Sequence, residues 1–387
     1  MKSLRKYDLQ EALQETSILV AQMSRKEAWF KYSRLKKYVP AGINIWQQMF
    51  VAHTLIVSSN DFRPLKYDED AIRYCANLFN DVEDPHLQEN SGVSGAGFSF
   101  LLRLAHSQFP MQISPTDMLP RFAQILSQTE GERKEFDIDG EFQKISGLSI
   151  QDCMTIGFGV FSVLQDGQRL ALPLSNHVDG LKDVFAADKI EKFIKFASAD
   201  YKEFRDLQVE HSAPEGFERY QLNGFYDKPL IKTTRSRWIV APIPIMVLFK
   251  STIGIYYALL NAHEKSGKRN DFRSFFGKNN FERYVGWLLE GRPGLIKEIT
   301  YGVEIRTSDW ILIEGDTATL IECKLSGLTL NEKSTADSTV LEMFSTRVVK
   351  GVSTCNRTEA DARSKKRGLE GRRPESCGNC RSLWLSS

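Results

Sequence analysis

Asp309-Trp-Ile-Leu-Ile-Glu-Gly-Asp-Thr-Ala-Thr-Leu-Ile-Glu-Cys-Lys324 consists of two apolar-rich runs about a Gly-Asp pair. The alternation and the β-branched content predict two strands, 308–314 and 317–325. A two-residue loop with Gly315 first suits a type II′ hairpin turn. That turn sets a register in which Glu314 faces Thr317, Leu312 faces Thr319, Trp310 faces Ile321 and Asp309 faces Glu322. Opposed residues share a face, with Cβ atoms roughly 4.5–5.5 Å apart. Period two adds Lys324 to the face of Glu322. Two carboxylates and an ammonium are thereby drawn to one end of a hairpin. Like charges directly opposed destabilise a sheet, and a divalent cation relieves that penalty. Hard oxygen donors suit Mg²⁺ or Mn²⁺. Beside such a cation, Lys324 is placed to orient or deprotonate a water, or to steady charge developing on phosphoryl oxygens. Cation plus lysine is a device for in-line attack of water on a phosphodiester.

Working upstream, residues 295–304 read as a third strand. Before it, residues 271–290 carry Phe281, Tyr284, Val285, Leu288 and Leu289 at i, i+3, i+4, i+7 and i+8. That spacing predicts an amphipathic helix facing a core. At about 100° per residue, Glu282 falls at the margin of the stripe and Glu290 nearly opposite it. Gly291 and Pro293 end the helix.

Asp309, the hairpin, then Glu322-Cys-Lys324, preceded by a helix bearing Phe281-Glu282, resembles the PD-(D/E)xK nuclease superfamily and its restriction-endonuclease-like fold. The resemblance covers roughly residues 275–352, about a fifth of the chain. It implies a core of helix, three-stranded meander, helix and strand, with Mg²⁺-dependent hydrolysis of DNA, less often RNA. Asp309 and Glu322 would bind metal, Lys324 would assist the water, and Glu282 would be an auxiliary ligand. An acidic-x-Lys triplet alone is weak: Glu132-Arg-Lys134 and Asp200-Tyr-Lys202 also match, without an upstream strand carboxylate. A surface hairpin with a salt bridge is the plain alternative for the site, and a solvated flank is the plain alternative for Glu282.

Downstream, residues 334–352 suit the second core helix, with Val340, Met343, Phe344 and Val348 on its apolar side. Arg347 and Lys350 on it are candidates for contacting phosphate, solvated helix charges being the simpler reading. The closing apolar strand that the fold requires is not visible after it, because Leu383-Trp-Leu385 is short. The pattern stops near Val352. A tail altered by a frame change or truncation is one explanation, and a disordered basic arm binding nucleic acid is the other. Either way the sheet is expected to lack its last strand.

Composition agrees with that asymmetry. The 387 residues carry a net charge of +2. Residues 347–387 hold ten basic and four acidic residues, and residues 1–346 hold 41 and 45. With 42 % hydrophobic and 26 % charged residues, wholesale disorder, collagen-like repeats and a disulfide scaffold are excluded. Six cysteines suit a reducing cytoplasm. The most apolar run, 239–249, is interrupted by Pro242 and Pro244, whereas a spanning helix needs about 20 apolar residues. No membrane association is expected.

The organisation read from the chain is therefore multidomain α+β. Residues 1–210 form a mostly helical accessory region, with helices over 4–23, 43–58, 68–82, 98–109, 149–164 and 184–207. Residues 211–270 form a mixed connecting region. Residues 271–352 form the nuclease-like domain, and 353–387 a basic, disordered tail. Cys377-Gly-Asn-Cys380 has metal-ligand spacing but lacks a fourth nearby partner, so free thiols are the default. Asp137-Ile-Asp-Gly140 resembles part of a calcium loop and reads better as a turn. No nucleotide-hydrolysing motif is seen. The expected function is a cytoplasmic metal-dependent nuclease acting on DNA rather than RNA, with an architecture like restriction or anti-phage defence enzymes. Double-strand cleavage with one site per chain implies a homodimer, and the helical region offers a surface for a partner protein. The alternative is a catalytically inactive nucleic-acid- or protein-binding chain with a degraded nuclease domain.

Overall fold

The computed structural model describes residues 2–27, 44–80, 96–108, 114–127, 136–165, 170–171, 184–210, 213, 215–220, 223–235, 238–298, 300–301, 305–315, 317–325, 342, 345–346, 349–350, 353–356 and 380–386. It is mixed α+β and divides into two compact units. The first is built mainly from Met1–Ala123 and Asp137–Ala262, and the second from Gln124–Phe136, His263–Thr329 and Asp337–Ser387.

The first unit is mostly helical. Its helices include Leu9–Glu27, Ile45–Ser58, Glu69–Asn80, Ala96–Gln108, Ile138–Ser146 and Ile150–Leu164. Short polar side chains start them where the sequence places caps. Asn44 and Gln47 form a reciprocal capping box, and Ser149 accepts from Asp152 N at 3.0 Å. Asp137, in the partial calcium-like motif, is a helix cap that accepts from Gly140 N at 3.1 Å. Among the described residues no single helix is long and apolar enough to cross a membrane.

Strands β1 (Leu170–Ala171), β2 (Ser198–Asp200), β3 (Leu230–Lys232) and β4 (Trp238–Val240) form a sheet in the order β1-β4-β3-β2. This corrects two expectations. The helix expected over 184–207 is two helices, Ala187–Ala197 and Tyr201–Glu210, separated by β2. The interruption has a local cause: Asp200 accepts from Glu203 N at 2.8 Å while Glu203 accepts from Asp200 N at 2.9 Å, a capping box that starts a new helix. The connecting region is also not a separate layer. Its β3 pairs parallel with β2, so 230–240 completes the sheet of the first unit.

In the second unit the helix Arg269–Phe276 runs into a π-helical turn, Gly277–Glu282, and continues as Arg283–Leu289. Strands β5 (Leu295–Lys297), β6 (Thr300–Tyr301), β7 (Ile305–Arg306), β8 (Trp310–Glu314) and β9 (Thr317–Lys324) follow. The single strand expected over 295–304 is thus broken, with β6 and β7 forming a small ribbon of their own. A last strand, β10 (Cys380–Ser386), closes a sheet of order β10-β9-β8-β5. β5, β8 and β9 are an antiparallel meander, and β10 is parallel to β9, with Leu383 beside Ile321 and Leu385 beside Cys323.

β10 overturns the expectation of a missing last strand and of a tail disordered throughout. Seven residues with a three-residue apolar centre give little periodic signal. What makes them a strand is the backbone ladder to β9, a pairing remote in sequence that a parallel crossover must supply. Residues 353–356, also assigned to the tail, are helical. Of the helix expected over 334–352, residues 342, 345, 346, 349 and 350 are described and are helical; Val340, Met343, Phe344 and Val348 lie outside the described residues.

Candidate active site

The hairpin has the register expected from its turn. Trp310 pairs with Ile321, Leu312 with Thr319 and Glu314 with Thr317. Gly315 adopts φ 58°, the left-handed backbone that a two-residue hairpin loop demands; Asp316 lies outside the described residues. One face of the hairpin is apolar. Ile321 is buried with Phe281 and Val285, and Trp310, Cys323, Leu289 and Leu325 pack against them. The helix approaches Trp310 closely because Gly286 has no side chain: a Cβ there would lie 2.2 Å from Trp310 Cζ2. The Trp310 indole N–H donates to the Glu282 carbonyl at 3.3 Å, tying strand to helix at the site.

Glu282 is buried, 9 % exposed, whereas the helical wheel placed it at the margin. Leu288, expected on the apolar stripe, is 51 % exposed. The π turn explains both. Its i→i+5 bonds accommodate an extra residue and slip the phase of the helix, and such turns recur at functional sites. Asn280 Nδ2 pins the turn by donating to Ile125 O at 2.8 Å.

Asp309 precedes β8 and its Oδ2 accepts from Cys323 N at 2.5 Å, fixing the carboxylate across the hairpin. The Lys324 ammonium bonds directly to Glu322 Oε1. Glu322 Oε2 is buried and accepts no hydrogen bond. Burial holds the Glu322 carboxyl above the usual carboxylate range against the opposing Lys324 hydrogen bond, and the Asp309 charge adds to the rise. Asp309 is raised by burial, which outweighs the Cys323 N–H and the Lys324 charge. Glu282 is pushed up to about 7, first by burial and then by Asp309, with Lys278 drawing it partly back. Burial alone would lower Lys324, but its bond to Glu322 and the Glu322 and Asp309 charges raise it. Raised carboxylates at one place mean that negative charge is held there without full compensation.

The structure thus brings together Asp309, Glu322, Lys324 and Glu282. It leaves Lys350 exposed on its helical fragment, with no described contact to the site, and Arg347 lies outside the described residues. Sequence reading missed two neighbours. Glu298, just past β5, donates its N–H to Asp309 O at 2.8 Å and its charge raises both Asp309 and Glu282. Extending the strand register one residue past Leu295 to Lys297 would have found it. Cys355, assigned to the tail, is buried beneath the site, and Ser308 Oγ donates to its sulfur at 3.5 Å.

The donors suit a hard cation, and the unpartnered Glu322 Oε2 is the kind of buried oxygen that such an ion satisfies. Among the described residues no three His, Cys, Asp or Glu side chains form a complete metal cage. Mg²⁺ does not require one, because it binds through one or two carboxylates and retains water and substrate oxygens. Scans against protein-family models, curated proteins and solved structures return no match to this chain.

Proposed function

We propose that the second unit is a nuclease module of the PD-(D/E)xK type that hydrolyses phosphodiester bonds of DNA. The observation that carries the reading is the convergence of Asp309, Glu322 and Lys324 at one end of the β8–β9 hairpin, with buried Glu282 behind them. The order of elements supports it. A helix, an antiparallel meander and a parallel fourth strand is the core that the resemblance implies.

Asp309, Glu322 and Glu282 would hold Mg²⁺ or Mn²⁺, whose chemistry is to polarise the scissile phosphate and acidify a bound water. The protein side chains perform the rest. The backbone N–H of Cys323 holds the Asp309 carboxylate in a single orientation, so one lone pair is committed and the others face the site. Glu322 holds the Lys324 ammonium at the sheet end, where its remaining protons can donate to a water or to a phosphoryl oxygen. Apolar burial keeps bulk water from screening these charges.

The test is cleavage of labelled duplex DNA, single-stranded DNA and RNA by the full chain with Mg²⁺ or Mn²⁺. The wild type cuts DNA, and Lys324→Ala lowers the rate by about 10²-fold or more while retaining DNA binding. Absence of cleavage by the wild type, or equal cleavage by the variant, removes the proposal. Salt-sensitive binding without cleavage by the wild type would instead identify a binding protein.

A further inference from the structure

The sheet register carries the site one strand further than the resemblance does. β5 pairs with β8 through Leu295 and Leu312, Ile296 and Ile311, and Lys297 and Trp310. The next rung is Glu298 with Asp309, made by the Glu298 N–H to Asp309 O bond at 2.8 Å. On the other flank, the β8–β9 register continues from Trp310 and Ile321 to Asp309 and Glu322. Residues directly opposed share a face. Glu298, Asp309 and Glu322 therefore form one row across three adjacent strands, with Asp309 in the middle.

Three like charges in one row oppose folding unless something positive sits among them. Lys324 answers only one end, through Glu322 Oε1. The second oxygen of that carboxylate, on a side chain 5 % exposed, has no partner. An acidic row alone could be a mere surface feature; a buried, unsatisfied oxygen in the same row points to a missing positive ligand. On the other side of Asp309 the nearest feature is Glu298, half-buried at the strand end. Strands lie about 4.8 Å apart, so a glutamate side chain on a neighbouring strand can reach an ion bound to the central aspartate.

We propose that Glu298 is a further cation-binding residue of this site, holding a divalent ion jointly with Asp309 on the flank opposite Glu322. The ion is a hard one of the Mg²⁺ or Mn²⁺ class, bound by carboxylates and water. The proposal rests on the nuclease reading only for what the ion is used for. The binding itself can be measured without nucleic acid.

Mn²⁺ alone, titrated into the full chain by calorimetry or by electron paramagnetic resonance, is the probe. Glu298→Gln weakens Mn²⁺ binding by about tenfold or more and shrinks the rise in Tm that Mn²⁺ produces in the wild type. The melting temperature without metal stays level or rises, since a like charge has left the row. A Glu298→Gln protein with wild-type Mn²⁺ affinity overturns the proposal, and so does one that melts lower without metal yet shows the full Mn²⁺ shift, which is a structural role. Glu298→Asp separates the two further: a ligand role regains part of the Mn²⁺ affinity lost in Glu298→Gln, and no regain counts against the proposal. If the wild type binds Mn²⁺ through Glu298 but cuts nothing, this inference stands and the nuclease reading falls. If the wild type binds no Mn²⁺, both fall.

Discussion

The helical unit and the strand-rich unit both bury carboxylates, and they treat them in opposite ways. In the helical unit Asp61, 2 % exposed, accepts from the Tyr201 hydroxyl at 2.9 Å and from Thr234 Oγ1 at 2.5 Å. Asp8, also buried, accepts from Glu11 N at 2.9 Å and from Arg235 at 3.0 Å, and Arg235 also reaches Asp61 O. These acids stitch the first helix, the loop before Tyr67 and the β3–β4 turn into one network. In the strand-rich unit Glu322 has an oxygen with no partner, and Glu282, Asp309 and Glu322 are all raised above the ordinary carboxylate range chiefly by burial. A buried acid whose lone pairs are filled is part of the frame. A buried acid left wanting is held ready for something that is not protein.

The most severe test of this contrast is to break the satisfied network. Asp61→Ala strands the Tyr201 and Thr234 hydroxyls and is expected to cost about 3 kcal/mol of stability, read by urea denaturation. An effect under about 1 kcal/mol would mean that the network is not structural.

A smaller effect, with opposite signs in the two units, should appear with pH. Glu282 binds its proton more tightly folded, near 7 against 4.5, so its contribution is present below the lower value and lost as pH rises through the upper one. From pH 5 to pH 7 the metal-free protein should lose about 2 kcal/mol through this group, and Glu282→Gln should remove that loss. In the helical unit His53 is buried and its imidazole is lowered to about 4 by burial. Its contribution is present above the unfolded value of 6.5 and lost as pH falls toward 4. From pH 6 to pH 4 that loss is also about 2 kcal/mol, and His53→Leu should flatten it. Melting each variant against wild type across pH 4–8 checks both signs; matching signs in the two units would break the comparison.

The smallest expected effect is a control on the frame. Ser149→Ala removes a helix cap and should cost about 1 kcal/mol while leaving divalent-cation binding by the full chain unchanged.

The hairpin was legible from its residues because its determinants are local. Gly315 takes a positive φ, and the alternation on each side then fixes which side chains oppose. Asp309, Glu322 and Lys324 were found for the same reason. Helix starts at Ile45, Ile138 and Ile150 follow from capping side chains within three residues. The depth of Glu282 was not legible, because a π turn does not announce itself in a hydrophobic wheel and it shifts every later position. Helical periodicity through 184–207 likewise concealed β2, whose existence depends on β3 some thirty residues away.

By itself, the sequence determined a mixed α+β chain, a two-residue hairpin and three charged residues at its end, all consequences of interactions within a few residues of one another. Only the tertiary structure decided that Cys380–Ser386 closes the sheet, that Glu298 joins the carboxylate row, and that Cys355 lies beneath it. Those facts rest on ladders and contacts between segments far apart in the chain, whose pairing is set by the packing of the whole unit and leaves no period in the sequence.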